Sequence, residues 1–204
     1  MTAGGLPEGL VRSDDGVTRC AWGDTPEVYR RYHDTEWGTV LRGRDALFER
    51  ISLEAFQSGL SWITVLRKRD AFRAAFAGFV PEAVAAFDDD DRTRLLADAG
   101  IVRNRAKIDA TIGNARAVLE LDDLDALLWS FAPDPRPPRP ADVTEVPAIT
   151  EASTAMAREL KRRGLRFVGP TTCYALMQAT GMVDDHVRGC AAGVAWDDGE
   201  AHRG

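Results

Sequence analysis

The feature that most constrains the fold is a set of repeated helical stripes with almost no strand signal. In five segments, apolar residues recur every three or four positions, the spacing of one helix face. These segments are Leu47 to Ser58, Val65 to Phe76 with Ser61 as a possible cap, Ile108 to Leu119, Met156 to Leu160 with Gly164 as its end, and Pro170 to Gly181. We find no run of β-branched residues that alternates with a period of two between turn residues. The pattern predicts an all-α fold.

The composition is that of a globular protein. The 204 residues are 45% hydrophobic and 28% charged, enough for one domain or two small ones around a cleft. No apolar stretch approaches the roughly 20 residues of a membrane helix, and no signal peptide is visible. Three cysteines, an odd number, favour a reducing compartment over a disulfide framework. We therefore expect a cytoplasmic protein that does not bind membranes.

The ends of the chain and one internal segment lack helical periodicity. We expect mobile segments at residues 1–17 and 191–204, and a single folded domain over 18–190. Six of the ten prolines lie between Pro133 and Pro147, a density that predicts an extended surface loop. The net charge of −6 argues against a protein that coats nucleic acid by bulk charge, but a local basic face is compatible with it.

Cysteine and histidine occur together near both ends of the chain. Cys20 and His33 lie near the start, and His186 and Cys190 lie near the end, where their i, i+4 spacing would put both on one helix face. Two thiolates and two imidazoles can form a closed tetrahedral zinc site, which is structural because no position remains for water. The alternative is that the cysteines are small buried hydrophobic residues and the histidines are hydrogen-bonded core residues. Cys173 lies among apolar residues and is assigned to the core.

A single carboxylate shares the apolar face of the first stripe. Glu54 is either an edge residue that reaches solvent or a buried acid with a raised pKa. Aromatic residues lie before and after it, at Trp22, Tyr29, Tyr32, Trp37 and Trp62. Aromatic faces and one acid suit a flat heteroaromatic ligand, since the rings can stack and the carboxylate can accept a hydrogen bond. The alternative is an aromatic core cluster.

Basic residues precede a glycine-containing turn near the C-terminal end. They are Arg158, Lys161, Arg162, Arg163 and Arg166. The helix that begins near Pro170 would offer free backbone N–H groups to an anion. A second basic group, Arg103, Arg105 and Lys107, opens another predicted helix. Charge runs are usually solvated faces, but two basic patches and a glycine hairpin in an acidic protein indicate nucleic-acid binding.

Six motifs together are similar to those of one enzyme family. They are C-x-W at 20–22, Y-H-D-x-E-W-G at 32–38, L-E-x-x-Q-x-G-L-S-W-I-T-V-L at 53–66, F-V-G-x-T-x-C-Y at 167–174, M-Q-A-x-G at 177–181 and D-H-V-x-G-C at 185–190. Over residues 18–190 the chain resembles the bacterial 3-methyladenine DNA glycosylase I family. The resemblance implies a helix-hairpin-helix fold with two helical lobes around one cleft. It also implies that 3-methyladenine is flipped out of alkylated double-stranded DNA and released by hydrolysis.

The resemblance assigns roles to individual residues. The ligands of one structural Zn²⁺ per chain would be Cys20, His33, His186 and Cys190. The base would be contacted by the catalytic acid Glu54 and by Trp22, Tyr29, Tyr32, Trp37 and Trp62, with Tyr32 and Trp62 as the stacking pair. The DNA would be contacted by Gly59 and Leu60, which enter the gap left by the flipped nucleotide, and by the phosphate-binding hairpin Val168, Gly169, Thr171 and Thr172.

We expect the enzyme to act more by selecting and positioning the methylated base than by forcing cleavage of the glycosidic bond. 3-Methyladenine is cationic in DNA and therefore a good leaving group, and a carboxylate with π-faces favours this cation over neutral adenine. Water would attack C1′. Lyase-competent relatives carry a lysine after the hairpin glycine, whereas Gly169 is followed by Pro170, Thr171 and Thr172. We expect a monomeric, monofunctional enzyme whose product is free 3-methyladenine.

Three residues depart from the family pattern. Ala55 and Phe56 are bulkier and less polar than expected, which can reshape the pocket rim. Asp184 stands where asparagine is expected. It could stabilise positive charge on the sugar, cap a helix that carries His186, or orient a zinc-bound imidazole.

Two other functions remain open at this point. One is a zinc-stapled DNA-binding module without chemistry, which the occurrence of Glu54 and Trp62 within nine residues disfavours. The other is a glycosylase for a different alkylated purine, since one or two pocket contacts would decide between such substrates.

Overall fold

A computed structural model of the chain describes residues 5–192, and in this range the protein is mostly helical. The ten helices are α1 (Glu27–Thr35), α2 (Arg44–Gln57), α3 (Trp62–Leu66), α4 (Arg69–Ala75), α5 (Pro81–Ala85), α6 (Asp89–Ala97), α7 (Arg105–Leu119), α8 (Leu124–Trp129), α9 (Glu151–Arg162) and α10 (Pro170–Ala179). Short 3₁₀ turns lie at Ala21–Gly23, Ala77–Phe79 and Val143–Glu145. Across residues 5–192, no helix is both long and apolar enough to cross a membrane.

Four of the five predicted stripes correspond to one helix each, namely α2, α7, α9 and α10. The prediction of a single helix through Val65 and Phe76 is wrong, because the chain forms α3 and α4 with a break between them. At the break Lys68 has φ −98° and ψ 1°, and its ammonium donates to the carbonyls of Ala99 (2.8 Å) and Gly100 (3.2 Å). A tertiary contact therefore ends a helix that the apolar spacing alone would continue.

Two short strands correct the prediction that strands are absent. β1 (Leu10–Arg12) and β2 (Thr18–Cys20) pair antiparallel, with Leu10 opposite Cys20. Three residues are too few for a period-two pattern to appear in the sequence. β1 lies within the segment 1–17 that we expected to be mobile, so residues 10–12 belong to the folded protein. Residues 1–4 and 193–204, which cover most of the predicted C-terminal tail, lie outside the described range.

The chain divides into two compact units. The first contains the described parts of Met1–Val40, Pro133–Ala148 and Gln178–Gly204, and the second contains Leu41–Ala132 and Ile149–Met177. The proline-rich segment belongs to the first unit and forms a loop with one 3₁₀ turn, as expected. It is anchored by backbone hydrogen bonds, from Arg188 to Pro140 (2.8 Å) and from Val143 to Glu8 (3.0 Å).

The second unit is built around α2, which is buried on nearly all sides. Two fully buried phenylalanines of α2, Phe48 and Phe56, pack against three others that follow it in the chain, Phe72, Phe76 and Phe79. The ring of Phe56 lies 4.6 Å from that of Phe72, between centroids. Phe56 is therefore part of the core, and it does not reshape the rim of a pocket as its bulk suggested.

Gly164 provides a direct test of the helix end that the sequence predicted. It follows α9 with φ +90°, a conformation that costs a residue with a Cβ about 1–2 kcal/mol. Gly164→Ala should lower the free energy of unfolding by about that amount. Gly113→Ala is the matched control, because Gly113 lies inside α7 with open space around its missing Cβ. That variant should be neutral or stabilising by about 0.5–1 kcal/mol in urea denaturation. Equal effects of the two variants would contradict the assignment.

Candidate active site and metal-binding cluster

A cleft of about 260 Å³ in the second unit brings together three predicted site segments. It is lined by Glu54, Gln57, Ser58, Gly59, Leu60, Thr171, Thr172 and Ala175. Its walls are thus the last turn of α2, the loop that follows it and the first turn of α10. The predicted acid and the predicted DNA-intercalating loop share one cavity with the threonines of the predicted phosphate hairpin, which lie more than a hundred positions later in the chain.

Glu54 is a buried acid, which decides between the two interpretations that the sequence allowed. It is 5% exposed, and its carboxyl group has no hydrogen-bonding partner within the described range. Burial raises the pKa of Glu54 to about 7, and the positive charge of Arg50, one helical turn earlier, opposes this rise. The group therefore titrates near neutral pH. It can accept a hydrogen bond from a ligand in the cleft, or form an ion pair with a cationic one.

Trp62 lies at the start of α3, beyond the loop that lines the cleft. The guanidinium carbon of Arg50 is 5.8 Å from the centre of the Trp62 ring. Arg50 is itself 8% exposed, so a buried cation lies beside both the predicted acid and the predicted stacking ring. Sequence reasoning missed Arg50, whose i, i+4 spacing from Glu54 on the same helix was the available signal.

The loop after α2 turns sharply and exposes an apolar side chain. Gly59 has φ +80°, and Leu60 is 41% exposed. Lys107 secures the start of this loop by donating to the carbonyls of Phe56 (2.8 Å) and Ser58 (2.5 Å). The assignment of Lys107 to a basic surface group is therefore wrong, since this residue is 7% exposed and its ammonium faces the protein interior.

The hairpin before α10 is fixed by a side chain that the sequence analysis did not single out. Asn114 on α7 accepts from the backbone N–H of Arg166 (2.8 Å) and donates to its carbonyl (3.0 Å). The sequence contained a signal for this role, since Asn114 is a polar residue within the apolar stripe of α7. Val168 is fully buried, and its carbonyl faces the thiol of Cys173 at 3.8 Å, so this residue presents no exposed group to a phosphate. Thr171 and Thr172 follow Pro170 in the first turn of α10 and line the cleft.

In the first unit, three of the four predicted metal ligands are assembled. The ligand atoms of Cys20, His33 and Cys190 all lie within 4.8 Å of one another, and all three residues are buried. The thiol of Cys190 is 3.4 Å from Nε2 of His33. Hydrogen bonds from Cys20 and then from His33 hold the pKa of Cys190 well below its ordinary value, so this pair of thiols favours a thiolate.

The fourth predicted ligand lies next to this group. The ring of His186 is 5.0 Å from that of His33, between centroids, and its Nε2 is buried without a hydrogen-bond partner in the described range. The prediction that His186 and Cys190 share a helix is wrong, because residues 184–190 form a loop with a turn at Arg188 and Gly189. The loop nevertheless brings both side chains toward His33.

Both histidines are oriented by a carboxylate that an arginine holds. Nδ1 of His33 is 2.8 Å from Asp34, which accepts from Arg19, and Nδ1 of His186 is 2.7 Å from Asp184. Asp184 in turn accepts from Arg139 at 2.7 Å. Nε2 of His33 thereby faces the thiol of Cys190, and Nε2 of His186 is left available to a ligand, as in proteins whose metal-bound histidines donate through the other ring nitrogen.

The role of Asp184 follows from these contacts. Burial alone would raise the pKa of Asp184, but hydrogen bonds with His186 and Arg139 lower it below its ordinary value. The position therefore matches the orienting role that the sequence allowed, and there is no helix around His186 for Asp184 to cap.

The aromatic residues of the first unit pack against the two histidines. Trp22 lies 4.9 Å from Trp37 and 5.2 Å from His33, and Trp37 lies 4.6 Å from His186, between ring centroids. Tyr29 and Tyr32 contact Trp22 at 5.8 and 6.4 Å. Within this cluster Tyr32 is buried and Trp22 is 37% exposed. The sequence analysis treated the aromatic residues and the histidines as two sites, whereas they form one cluster.

Two glycines leave space for the histidine rings. A Cβ on Gly23 would overlap the ring of His33, and a Cβ on Gly38 would lie 2.8 Å from Cε1 of His186. Gly38 also has φ +78°, which disfavours other residues. The backbone is thus shaped around the two imidazoles, as expected where their position has a role.

The chain is similar to proteins of one enzyme family, both in sequence and in structure. DNA-3-methyladenine glycosylase 1 of Escherichia coli is 48% identical over 179 residues, which cover 85% of this chain and 96% of that protein. A crystal structure of 3-methyladenine DNA glycosylase I is 46% identical, with a TM-score of 0.81, over 85% of this chain and 98% of the other. A variant of 3-methyladenine DNA glycosylase I, solved in complex with 3-methyladenine, is 32% identical with a TM-score of 0.79 and covers 85% and 96%.

The family model agrees with these pairwise similarities. It describes methyladenine glycosylase and matches residues 22–193, which is most of the chain. The match includes α2 with Glu54, the loop after it and the start of α10, so the whole cleft lies inside the matched region. The chain belongs to the methyladenine glycosylase family.

Proposed function

We propose that this protein removes 3-methyladenine from alkylated double-stranded DNA by hydrolysis of the N-glycosidic bond. The observation that carries the proposal is the buried carboxyl group of Glu54 in a cleft shared with Gly59, Leu60 and the first turn of α10. Relatives named for this activity and a related structure with 3-methyladenine bound support it. The protein is accordingly an N-glycosyl hydrolase of DNA repair.

Glu54 supplies the selectivity in this mechanism. A buried carboxylate gains more from a cationic base than from neutral adenine, because little water screens the interaction. When the glycosidic bond breaks, its electron pair moves onto the methylated ring and cancels the positive charge there. The base leaves as a neutral molecule without needing a proton. Water adds to the positively charged C1′ and releases one proton to the solvent, which leaves a hydroxyl group on the sugar. Glu54 therefore binds and orients the base. The stacking role of Trp62 stays a prediction, since Trp62 is not among the residues that line the cleft.

The DNA contacts are assigned to the other two walls of the cleft. Leu60 is an exposed apolar side chain on a tight turn and suits insertion into the gap left by the flipped nucleotide. The backbone N–H groups at the start of α10, with Gly169, Thr171 and Thr172, suit a DNA phosphate. The assignment of Trp22, Tyr29, Tyr32 and Trp37 to base binding stays a prediction of the sequence, as do a cleft between two lobes, the helix-hairpin-helix class, the monomeric state and a cytoplasmic location.

A structural zinc ion fits the cluster in the first unit. Cys20, His33 and Cys190 form the assembled part of the donor set. His186 lies outside this group, and its buried Nε2, which has no hydrogen-bond partner in the described range, would supply the fourth ligand. When bound by Cys20, His33, His186 and Cys190, zinc would close the first unit and leave no site for a catalytic water. The ion would thus stabilise the fold and take no part in base release.

Two alternatives from the sequence can be weighed against these observations. A zinc-stapled DNA-binding module would have no use for a buried acid without a partner, so the environment of Glu54 favours the enzyme. A preference for another alkylated purine would change only one or two contacts in the cleft, and released bases separated by chromatography would identify it.

The raised pKa of Glu54 predicts the pH dependence of base release. As pH falls through about 7, the folded enzyme protonates Glu54 and loses the negative charge that selects the cation. Single-turnover release of 3-methyladenine from duplex DNA should therefore decline on the acidic side. Glu54→Gln should lack this acidic limb and be slower by about 10- to 100-fold at pH 8, the scale of one lost charge-assisted hydrogen bond.

Glu49→Gln is the matched control for this experiment. Glu49 lies on the same helix but pairs with Arg73 at 2.8 Å, outside the residues that line the cleft. Its substitution should leave the shape of the pH profile unchanged. An acidic limb that persists in Glu54→Gln would assign the titration to another group.

The metal proposal is tested with the cysteines. The purified protein should contain about one zinc per chain, and Cys190→Ala should lose zinc and melt at a lower temperature. Cys173→Ala is the control, since Cys173 is equally buried but lies in α10, in the other unit. It should keep its zinc. A folded, active wild-type sample with much less than one equivalent of zinc would exclude the assignment.

The absence of lysine at 169–172 predicts a monofunctional enzyme. The protein should release the base and leave an intact strand with an abasic site, so strand breaks should appear only after alkali treatment. Borohydride should trap no covalent enzyme–DNA adduct. A trapped adduct would mean that an amine elsewhere in the chain forms a Schiff base.

A further inference from the structure

The buried face of α7 carries three polar residues in the interior of the second unit. Lys107, Thr111 and Asn114 are 7%, 2% and 2% exposed, and their spacing of four and three positions puts them on one side of the helix. Buried polar groups are costly unless each one is hydrogen-bonded, so a stripe of this kind needs a structural or functional reason.

Each end of this stripe holds a different wall of the cleft. At one end, the ammonium of Lys107 donates to the carbonyls of Phe56 and Ser58, where α2 ends and the loop with Gly59 and Leu60 begins. At the other end, Asn114 makes two hydrogen bonds to the backbone of Arg166, in the hairpin before α10. The two anchors are seven residues apart, or about 10 Å along a rigid helix.

Lys107 is itself held in place and has no carboxylate partner. Its backbone N–H donates to the capping side chain of Asn104 (3.1 Å), and its carbonyl accepts from Thr111 (2.9 Å). No acidic side chain within residues 5–192 forms an ion pair with its ammonium. The positive charge instead faces the last carbonyls of α2, which lack donors within their own helix and carry the negative end of its dipole.

We propose that Lys107 and Asn114 are positioning residues that set the distance between the loop carrying Leu60 and the hairpin before α10. This inference rests on the proposed function, and it adds to that function a way to hold the loop and the hairpin at a fixed distance from each other. α7 acts as a spacer between the segment that enters the DNA helix and the segment that binds its phosphate. A flipped nucleotide needs both contacts at once, whereas a base already free of its partner strand does not need the inserted loop.

The test compares two substrates in single-turnover release of 3-methyladenine. One has the lesion paired in a duplex, and the other has it unpaired in a single strand. Lys107→Met removes the donors while keeping most of the side-chain volume. It should slow release from the duplex by about tenfold more than release from the single strand, with the affinity for free 3-methyladenine changed less than about threefold. Lys107→Arg, which keeps the charge and the donors, should restore a large part of the duplex rate.

The matched control is Arg116→Met, an exposed cation on the last turn of the same helix that also donates to two carbonyls, those of Ala85 and Phe87, outside the residues that line the cleft. It should leave the ratio of the two rates unchanged. Asn114→Leu should change the ratio in the same direction as Lys107→Met. The effect of the double variant on the ratio should be smaller than the sum of the two single effects, because either change alone releases the fixed distance between the loop and the hairpin. If Lys107→Met does not fold, Lys107→Gln replaces it; this variant removes the charge but keeps an amide donor, so the ratio should change in the same direction by a smaller factor.

Two results would overturn the proposal. Equal losses on both substrates would mean that Lys107 only stabilises the fold or the base site. A weaker salt dependence of duplex binding in Lys107→Met, by about one phosphate contact, would mean that this lysine contacts DNA directly. Failure of the proposed function is distinguishable from both, since the unmodified protein would then release no 3-methyladenine from either substrate.

Discussion

Glu54 puts an ionisable carboxyl group inside the second unit without a hydrogen-bonded partner. Removing its charged form from water costs free energy, and the side chains around it have to compensate for that cost. The group is tolerable because α2 is rigidly packed among phenylalanines and because Arg50 contributes a positive charge nearby. The stability lost in this way is typical of a site whose partner is a ligand. A cationic base that enters the cleft would supply the charge that the folded protein lacks.

The same reasoning applies to the first unit, where polar groups are buried around a possible metal. Each histidine there is part of a chain of hydrogen bonds that runs from an arginine through an aspartate to the imidazole. These chains fix the rings before any ion is bound. They leave Nε2 of His33 beside the thiol of Cys190 and Nε2 of His186 without a hydrogen-bond partner in the described range. Trp22 and Trp37 cover the rings, and Gly23 and Gly38 leave space for them. The order of this cluster therefore depends on side chains from all three segments of the unit.

The two halves of the cleft in the second unit are joined by α7 rather than by direct contact alone. Lys107 and Asn114 are buried on this helix, and both donate hydrogen bonds to backbone carbonyls of other elements. A helix is a suitable spacer because its length is set by backbone hydrogen bonds. The geometry of the site thus depends on residues that do not line it.

The sequence by itself determined the helices with strong apolar stripes and the helix boundaries at Gly164 and Pro170. It also singled out Glu54 and the group of Cys20, His33 and Cys190. Those features depend on local spacing and on backbone preference, which neighbouring residues encode. Only the tertiary structure decided that α3 and α4 are separate, that His186 lies in a loop, that Phe56 faces the core, and that Lys107 points inward. Each of these depends on a partner distant in the chain: a carbonyl for Lys68, a carboxylate for His186, a ring for Phe56 and the end of α2 for Lys107. Burial is set by how segments pack together, and no local pattern in the sequence records which partner will be there.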